Sequence, residues 1–417
     1  MEVEKVKLVF SDLKANSYKF WQAELHDDGK VVAEFGVVGA KNPQSKDFGN
    51  VGRSFFEKKI REKERKGYSR AKVLMEGAVN TTTAANTSLS DIALSQINLS
   101  DTSLKTLIKR LADSNVHKIT NSTSISFNNG VFQTPLGIVT KDGISEARIL
   151  LDYFFKNIKK NGQDDFNQRI DDYLKIIPRP KGGGLQYEDI FPTVDVVKKE
   201  SDVLDALENS VDIALKTPVK DVKDGKAGEK VFNLNMSLVT DQKVIKRIQD
   251  WYNRTNKAMH NYTNVKIVNI YEVDIVDYNT DFVKNPVNVK EVWHGSSQSN
   301  ILSILKSGLN VRPPSTAAIA GALFGSGVYG SETSSKSLGY SLGRWGQSSG
   351  NNAWLFVCNF EMGNPYYPTT YGINSIPSGY DSCWALPHKT GLHNDELIVY
   401  NSNQIKIKYL LELKVVS

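Results

Sequence analysis

The sequence predicts a multi-domain α+β protein: a small α+β unit first, an all-α helical bundle next, and a mixed, β-rich domain last. Three observations predict it. Two strand-like runs, 18–25 and 31–35, flank the turn signal Asp27-Asp28-Gly29. Apolar residues then recur at spacings of three and four from about residue 100 to 216. The last third returns to β-branched and aromatic runs and carries nearly half of the chain's 30 glycines.

Length and composition bound the rest. At 417 residues and 46.5 kDa the chain exceeds one ordinary core, so two or three domains are expected. Hydrophobic content of 40% and charged content of 24% describe a soluble globular protein. No apolar run approaches the roughly 20 residues that span a bilayer, so no membrane partner is expected. Met1-Glu2-Val3-Glu4-Lys5 lacks the basic and apolar regions of a secretory signal, which points to an intracellular protein. Two cysteines, Cys358 and Cys383, cannot build a disulfide framework or a four-thiolate zinc site, and a reducing compartment fits them.

Residues 1–76 form the small α+β unit. After the hairpin a helix is expected from Ser54, with Ser54 and Glu57 as a capping box and Gly67 as the stop. Phe56 and Ile60 face inward and the basic residues outward. Residues 51–72 hold nine Lys/Arg against three Glu, which equals the whole net charge of +6 and leaves the remaining chain neutral. Such a segment suits a phosphate backbone, with Arg53, Lys58, Lys59, Lys63 and Lys66 as candidate contacts. It equally suits a solvated helix face laced with ion pairs.

Residues 77–99, opening Gly77-Ala78-Val79-Asn80-Thr81, read as a linker. The helical region 100–216 shows three stripes. The first is Leu104, Leu107, Ile108 and Leu111; the second runs from Ile144 through Ala147, Leu151 and Phe154 to Ile158. The third is Leu204, Leu207, Val211 and Leu215, after the cap candidate Ser201. Thr134-Pro135-Leu136-Gly137 and Pro178-Arg179-Pro180-Lys181-Gly182 break it. From about 230, one more helix carries Val244, Ile248, Trp251, Tyr252 and Thr255. Strands are then expected at 265–276, 289–293, 353–362, 396–400 and 405–416.

Several motifs compete for the chemistry. Gly325-Ser326-Gly327-Val328-Tyr329-Gly330 matches the dinucleotide G-x-G-x-x-G pattern. It lacks the buried strand before it, the helix after it and the acidic residue about 20 positions on. Gly339-Tyr340-Ser341-Leu342-Gly343 and Gly346-Gln347-Ser348-Ser349-Gly350 match a serine-hydrolase elbow, but no hydrophobic strand leads into them. The six histidines include no H-E-x-x-H pair and no cysteine partner, so no metal is expected. What remains is His294 at the end of an apolar run, Tyr329 about 35 residues on in a glycine-rich loop, Tyr340, and Glu396 at the start of another apolar run. Gly295 beside His294 suits close approach of backbone and polar ligand.

In these segments the chain resembles the poly(ADP-ribose) polymerase branch of the ADP-ribosyltransferases. Trp293-His294-Gly295-Ser296 is similar to the family's histidine strand, and Leu323-Phe324-Gly325-Ser326-Gly327-Val328-Tyr329 to its F-G-x-G-[IV]-Y segment. Ser335-Lys336-Ser337-Leu338-Gly339-Tyr340 is similar to its S-K-S-x-x-Y segment, and Asp395-Glu396-Leu397-Ile398-Val399-Tyr400 to its catalytic-glutamate strand. Upstream, Thr134-Pro135-Leu136-Gly137 and Leu174-Lys175-Ile176-Ile177-Pro178 resemble its helical regulatory domain, and residues 1–76 a WGR domain. Where a WGR domain has Trp-Gly-Arg, this chain reads Phe35-Gly36-Val37.

The resemblance implies a WGR-like domain over 1–76, a helical regulatory domain over 100–216 and an ADP-ribosyltransferase domain over 230–417. It implies NAD⁺ as substrate, Glu396, His294 and Tyr329 as catalytic residues, and a nicotinamide pocket from His294, Gly295, Ser296, Tyr329, Ser337 and Tyr340. It further implies DNA as a partner through the first domain, a protein or nucleic-acid acceptor that includes the chain itself, restraint of the NAD⁺ site by the helical domain, and a nuclear location. A non-catalytic module that holds NAD⁺, ADP-ribose or nucleic acid is the competing reading, and a serine hydrolase the third.

Overall fold

The computed structural model describes residues 3–74, 88–122, 125–128, 130–180, 185–215, 230–311, 323–342 and 351–416. They divide into two compact units: residues 1–88 with 119–229, and residues 89–118 with 230–417. Both mix helix and sheet.

The first unit opens with strands β1 (Val3–Asp12), β2 (Ser17–His26), β3 (Val31–Val37) and β4 (Gln44–Asp47), helix α1 (Gly52–Arg65) and strand β5 (Ser69–Arg70). The sheet order is β4-β3-β2-β1-β5, all antiparallel. The expected turn joins β2 to β3, with Gly29 at φ +83° and its N–H bonded to the His26 carbonyl at 3.0 Å. Alternate residues of β2 (Trp21, Ala23, Leu25) pack against Phe56 and Ile60 of α1. The capping-box expectation does not hold. Helix α1 begins two residues before Ser54, Val51 caps it without a side-chain bond, and Glu57 reaches along the helix to Arg61 instead. A left-handed Gly52, whose N–H bonds the Gly29 carbonyl at 2.8 Å, starts the helix early. The Gly67 stop holds, at φ +85°.

Next along the chain come α2 (Leu89–Gln96), β6 (Asn98–Leu99) and α3 (Ser103–Ser122). Residues 77–87 of the expected linker lie outside the described residues, but 89–96 are helix rather than linker. Leu89, Ile92, Ala93 and Gln96 supply a buried face at helical spacing, and the Gln96 side chain accepts from the backbone of Val231 and Phe232.

Strands β7 (Ser126–Asn128) and β8 (Val131–Gln133) make a hairpin, followed by α4 (Lys141–Lys156), α5 (Asp164–Ile176), α6 (Tyr187–Ile190) and α7 (Val194–Leu215). Helix α4 packs against α5 and α7, with Phe154 stacked on Phe191 at 4.6 Å. Ser201 is no cap: α7 starts at Val194, and Ser201 lies buried inside it. The β1–β2 turn region meets α5 through Asp171. Its carboxylate accepts from the Ser11 hydroxyl at 2.5 Å, the Leu13 N–H at 3.2 Å and the Tyr187 hydroxyl at 2.5 Å. Tyr18 donates to the Leu174 carbonyl at 2.9 Å, and buried Arg179 pairs with Glu200 at 2.7 Å.

The second unit continues with β9 (Leu234–Leu238), α8 (Gln242–Thr255), β10 (Val265–Ile275), α9 (Val276–Thr280), β11 (Val289–Gly295), α10 (Gln298–Ser307), β12 (Val328–Gly330) and α11 (Ser334–Leu342). Strands β13 (Asn352–Glu361), β14 (Pro365–Tyr366), β15 (Ser382–Ala385), β16 (Glu396–Val399) and β17 (Ile405–Val415) complete it. One sheet has the order β11-β13-β17-β10-β9-β6 and the other β12-β16-β15-β14. Trp293 lies at the heart of the core, stacked on Trp251 at 3.8 Å and edge-on to Tyr252. No helix among the described residues is long and apolar enough to cross a membrane.

Phe56 is fully buried between α1 and its sheet. Phe56→Ala is expected to cost about 3–5 kcal/mol, read as a shift of the urea midpoint for the first unit. A midpoint unchanged from the parent would refute the packing described.

Candidate active site

The two sheets of the second unit are bridged between β11 and β12. Trp293 and Ser331 exchange backbone hydrogen bonds, 2.9 Å from the Trp293 N–H and 3.1 Å from the Ser331 N–H. This isolated bridge sets the end of β11 beside the end of β12. Strand β12 pairs antiparallel with β16, Tyr329 opposite Ile398 and Gly330 opposite Leu397. His294, Tyr329 and Glu396, far apart in sequence, therefore stand at neighbouring strand ends. The Tyr329 phenol is raised well above its ordinary range, first by burial and further by the charge of Glu396.

The His294 Nδ1 lies 2.8 Å from the Tyr329 carbonyl, so Nδ1 carries the proton and Nε2 is left as an acceptor. Burial holds the imidazole below the ordinary histidine range against the opposing pull of that carbonyl. The Tyr329 hydroxyl donates to the Gly325 carbonyl at 2.8 Å and accepts from the Phe324 N–H at 2.9 Å, pinning the glycine-rich loop. Tyr340 leaves 47% of its surface exposed. Loss of solvent at its hydroxyl, then the charge of Glu396, push its phenol up to about 12.

Glu396 is 7% exposed. Its Oε1 accepts from Lys336 Nζ at 2.7 Å, while Oε2 is buried and has no hydrogen-bond partner among the described residues. Lys336 also donates to the Asp395 carbonyl at 2.7 Å, and burial lowers its ammonium below the ordinary lysine range. Asp395 is held in turn by the Ser331 hydroxyl at 2.9 Å and the Glu332 N–H at 3.2 Å. Nothing in the local sequence around Lys336 gives it this role. The available signal is a lysine set among serines in Ser335-Lys336-Ser337.

Ser337 sits on α11 and donates to the Trp293 carbonyl at 3.0 Å. A Cβ on Gly295 would fall 1.8 Å from the Ser337 carbonyl oxygen, so the β11–α11 contact itself requires glycine there. Ser296 follows on the same turn, half-buried. Thus His294, Gly295, Ser296, Tyr329, Ser337, Tyr340 and Glu396 belong to one neighbourhood built by β11, β12, α11 and β16.

The competing motifs fail on geometry. Gly325–Gly330 runs into β12, an antiparallel strand, rather than a turn between a parallel strand and its helix. Ser341 lies inside α11, buried, and accepts from the Trp354 N–H at 2.6 Å, so it is no exposed elbow nucleophile. The second elbow match, 346–350, lies outside the described residues. No cluster of three or more His, Cys, Asp or Glu able to hold a metal occurs among the described residues.

The basic candidates divide. Arg53 pairs with Glu4 at 2.7 Å and Lys59 with Glu62 at 2.8 Å. Lys63 lies over the rings of Trp21, Phe35 and Tyr68 at 5.2–6.0 Å, and burial lowers its ammonium. The side chains of Lys58 and Lys66 have neither an ion pair nor a hydrogen bond among the described residues. Val37 is 42% exposed.

Alongside this geometry stand matches to a WGR domain and to an ADP-ribosyltransferase-type catalytic domain. Residues 242–391 match the model of the poly(ADP-ribose) polymerase catalytic domain, and residues 4–73 that of the WGR domain. In these two segments the chain is similar to proteins of the poly(ADP-ribose) polymerase family. Over 316 residues it is 27% identical to poly(ADP-ribose) polymerase 2 of Zea mays, covering 67% of this chain and 48% of that protein. It is 24% identical over 352 residues to poly(ADP-ribose) polymerase 1 of Gallus gallus, covering 75% of this chain and 33% of the relative. It is 32% identical over 160 residues to protein mono-ADP-ribosyltransferase PARP4 of Mus musculus, covering 36% and 8%. The chain spans about half the length, or less, of these relatives.

The lowered His294 predicts a pH dependence of stability. The unfolded chain takes up the proton more readily than the folded one, so stability falls as pH drops below about 6.5 and continues to fall down to the depressed folded value. Urea titrations at about pH 7.5 and about pH 5 are expected to show a smaller acid loss in His294→Gln than in the parent. Equal losses would contradict the burial described.

Proposed function

We propose that this chain is an NAD⁺-dependent ADP-ribosyltransferase that releases nicotinamide and passes ADP-ribose to a protein or nucleic-acid acceptor, the chain itself included. One observation carries the reading: a buried carboxylate, Glu396, with one oxygen on Lys336 and the other, Oε2, without a partner. Cleavage of the nicotinamide–ribose bond passes through an oxocarbenium-like transition state. A fixed carboxylate stabilises that charge, orients a ribose hydroxyl and polarises an acceptor hydroxyl. His294 would offer its free Nε2 to the other ribose hydroxyl. Gly295 backbone and the Ser337 hydroxyl would hold the carboxamide, with Ser296 nearby. The Tyr340 face would stack on the nicotinamide ring, with Tyr329 as the opposite wall.

Incubation with labelled NAD⁺ and nicked DNA tests this. The parent is expected to transfer label, and Glu396→Gln to lose it by about a hundredfold or more. Resolving products by length reads polymer against single-unit transfer. No transfer by the parent under varied activators would sink the enzyme reading in favour of a module that only holds NAD⁺ or ADP-ribose. Undiminished transfer by the variant would remove Glu396 from its role.

The proposed organisation is a WGR-like domain over 1–76, a regulatory helical region over 100–216 and a catalytic domain over 230–417. Support for a restraining role comes from α3, whose Asn115 donates to the Ser299 carbonyl of α10 at 2.7 Å and whose Arg110 pairs with Glu412. In the same assay, equal rates with and without DNA would remove that role. DNA is the proposed partner of the first domain, and a nuclear location follows only from the family. Of the five candidate cations, Lys58 and Lys66 are the ones with neither an ion pair nor a ring contact among the described residues. Replacing both by Ala is expected to flatten the salt dependence of DNA binding by about two in log–log slope. An unchanged slope would place the contacts elsewhere.

A further inference from the structure

We infer that His260 is a positioning residue for Glu396, acting through a polar clamp that ties α11 to the start of β16; this rests on the transferase reading above. His260 ends a short 3-10 turn, Ala258–His260, after α8. Its Nδ1 lies 2.8 Å from the hydroxyl of Ser335, which is fully buried on α11 beside Lys336. Its Nε2 lies 3.1 Å from the Asn394 side-chain nitrogen, two residues before Glu396. One imidazole thus touches both segments that deliver the Lys336–Glu396 pair.

The donors and acceptors admit one arrangement. Lys257 Nζ, which can only donate, is 3.1 Å from Asn394 Oδ1, so the amide must turn its NH₂ toward His260. His260 Nε2 therefore accepts, and the single proton of the neutral ring sits on Nδ1 and donates to Ser335 Oγ. That oxygen also accepts from the Lys257 N–H at 2.9 Å. Flipping Asn394 would face two donors at Lys257, so Lys257 fixes the amide and the amide fixes the tautomer. Asn394 is nearly buried, which keeps water from substituting for the imidazole. Through this clamp the Lys336 helix turn and the Glu396 strand end move as one body.

The test measures kcat, KM for NAD⁺ and Tm in the full chain for His260→Ala, Asn394→Ala, the double variant and His260→Asn. A loss of precise alignment without loss of binding is expected to lower kcat about tenfold in each alanine variant, with KM within about twofold. Because both act through one contact, the double variant is expected to be no worse than His260→Ala. His260→Asn, which retains a donor toward Ser335, is expected to recover part of the loss. Unchanged kcat, losses that multiply in the double variant, or a rise in KM alone would overturn the inference. Should His260→Ala not fold, Asn394→Ala decides alone, and normal kcat there overturns it. An inactive parent would fail the transferase reading itself, a result distinct from an active parent with unaffected variants.

Discussion

The reciprocal backbone bonds between Trp293 and Ser331 are the constraint on which the second unit depends. They set the end of β11, with His294, beside the end of β12, with Tyr329. The bridge is short, so something must hold it. Trp293 does so from below: its ring is locked between Trp251 and Tyr252, and its indole N–H donates to the Thr255 hydroxyl at 3.2 Å. Its carbonyl serves both Ser331 and Ser337, so one residue fixes the position of β12 and of α11. Gly295 follows from the same constraint. The carbonyl of Ser337 comes so near that no side chain fits, and glycine there is settled by packing before any ligand is considered.

The first unit solves a different problem with buried polar groups. Its sheet turns toward α5 through three donors on Asp171, and Tyr18, Arg179, Tyr173 and Glu200 form a connected set in which each charge has a partner. Such groups contribute little net stability against an apolar core, but breaking one member strands a buried charge. They therefore specify how sheet and helices dock rather than how strongly. Gly39 belongs to that docking: at φ +80° its α-carbon faces Pro180 so closely that a Cβ would lie 2.8 Å away. Gly39, just past Phe35-Gly36-Val37, thus has a packing reason independent of the missing arginine at position 37.

Much of this was legible in the sequence because it is written in apolar spacing. The hairpin at Asp27-Asp28-Gly29, the stripes of α3, α4 and α7, and the strands that carry His294 and Glu396 all declare themselves by period or turn chemistry. Helix α11 does not. Its serines look solvated, yet Ser334 donates to the Tyr252 carbonyl, Ser337 to that of Trp293, and Ser341 accepts from Trp354. Those hydroxyls satisfy interior backbone groups, so a buried helix reads as a polar loop. Lys336 and His260 were missed for the same reason. Their meaning lies in partners 60 and 134 residues away, which no local period encodes.

The arrangement around Glu396 shows why a lysine stands where an extra carboxylate oxygen needs none. A buried glutamate alone would take up a proton rather than bear the cost of desolvation. Lys336 meets that cost at Oε1, and Asp395 keeps Lys336 in place through its carbonyl while Ser331 holds Asp395. The charge is thereby stabilised from one side only. Oε2, equally buried, keeps its full capacity to accept, and on the proposed transferase reading no reorganisation is needed when positive charge develops beside it. On the same reading, a second cation on Oε2 would cancel the carboxylate's field before the ribose arrived. The asymmetry of the pair leaves a supported buried carboxylate with one oxygen still able to accept.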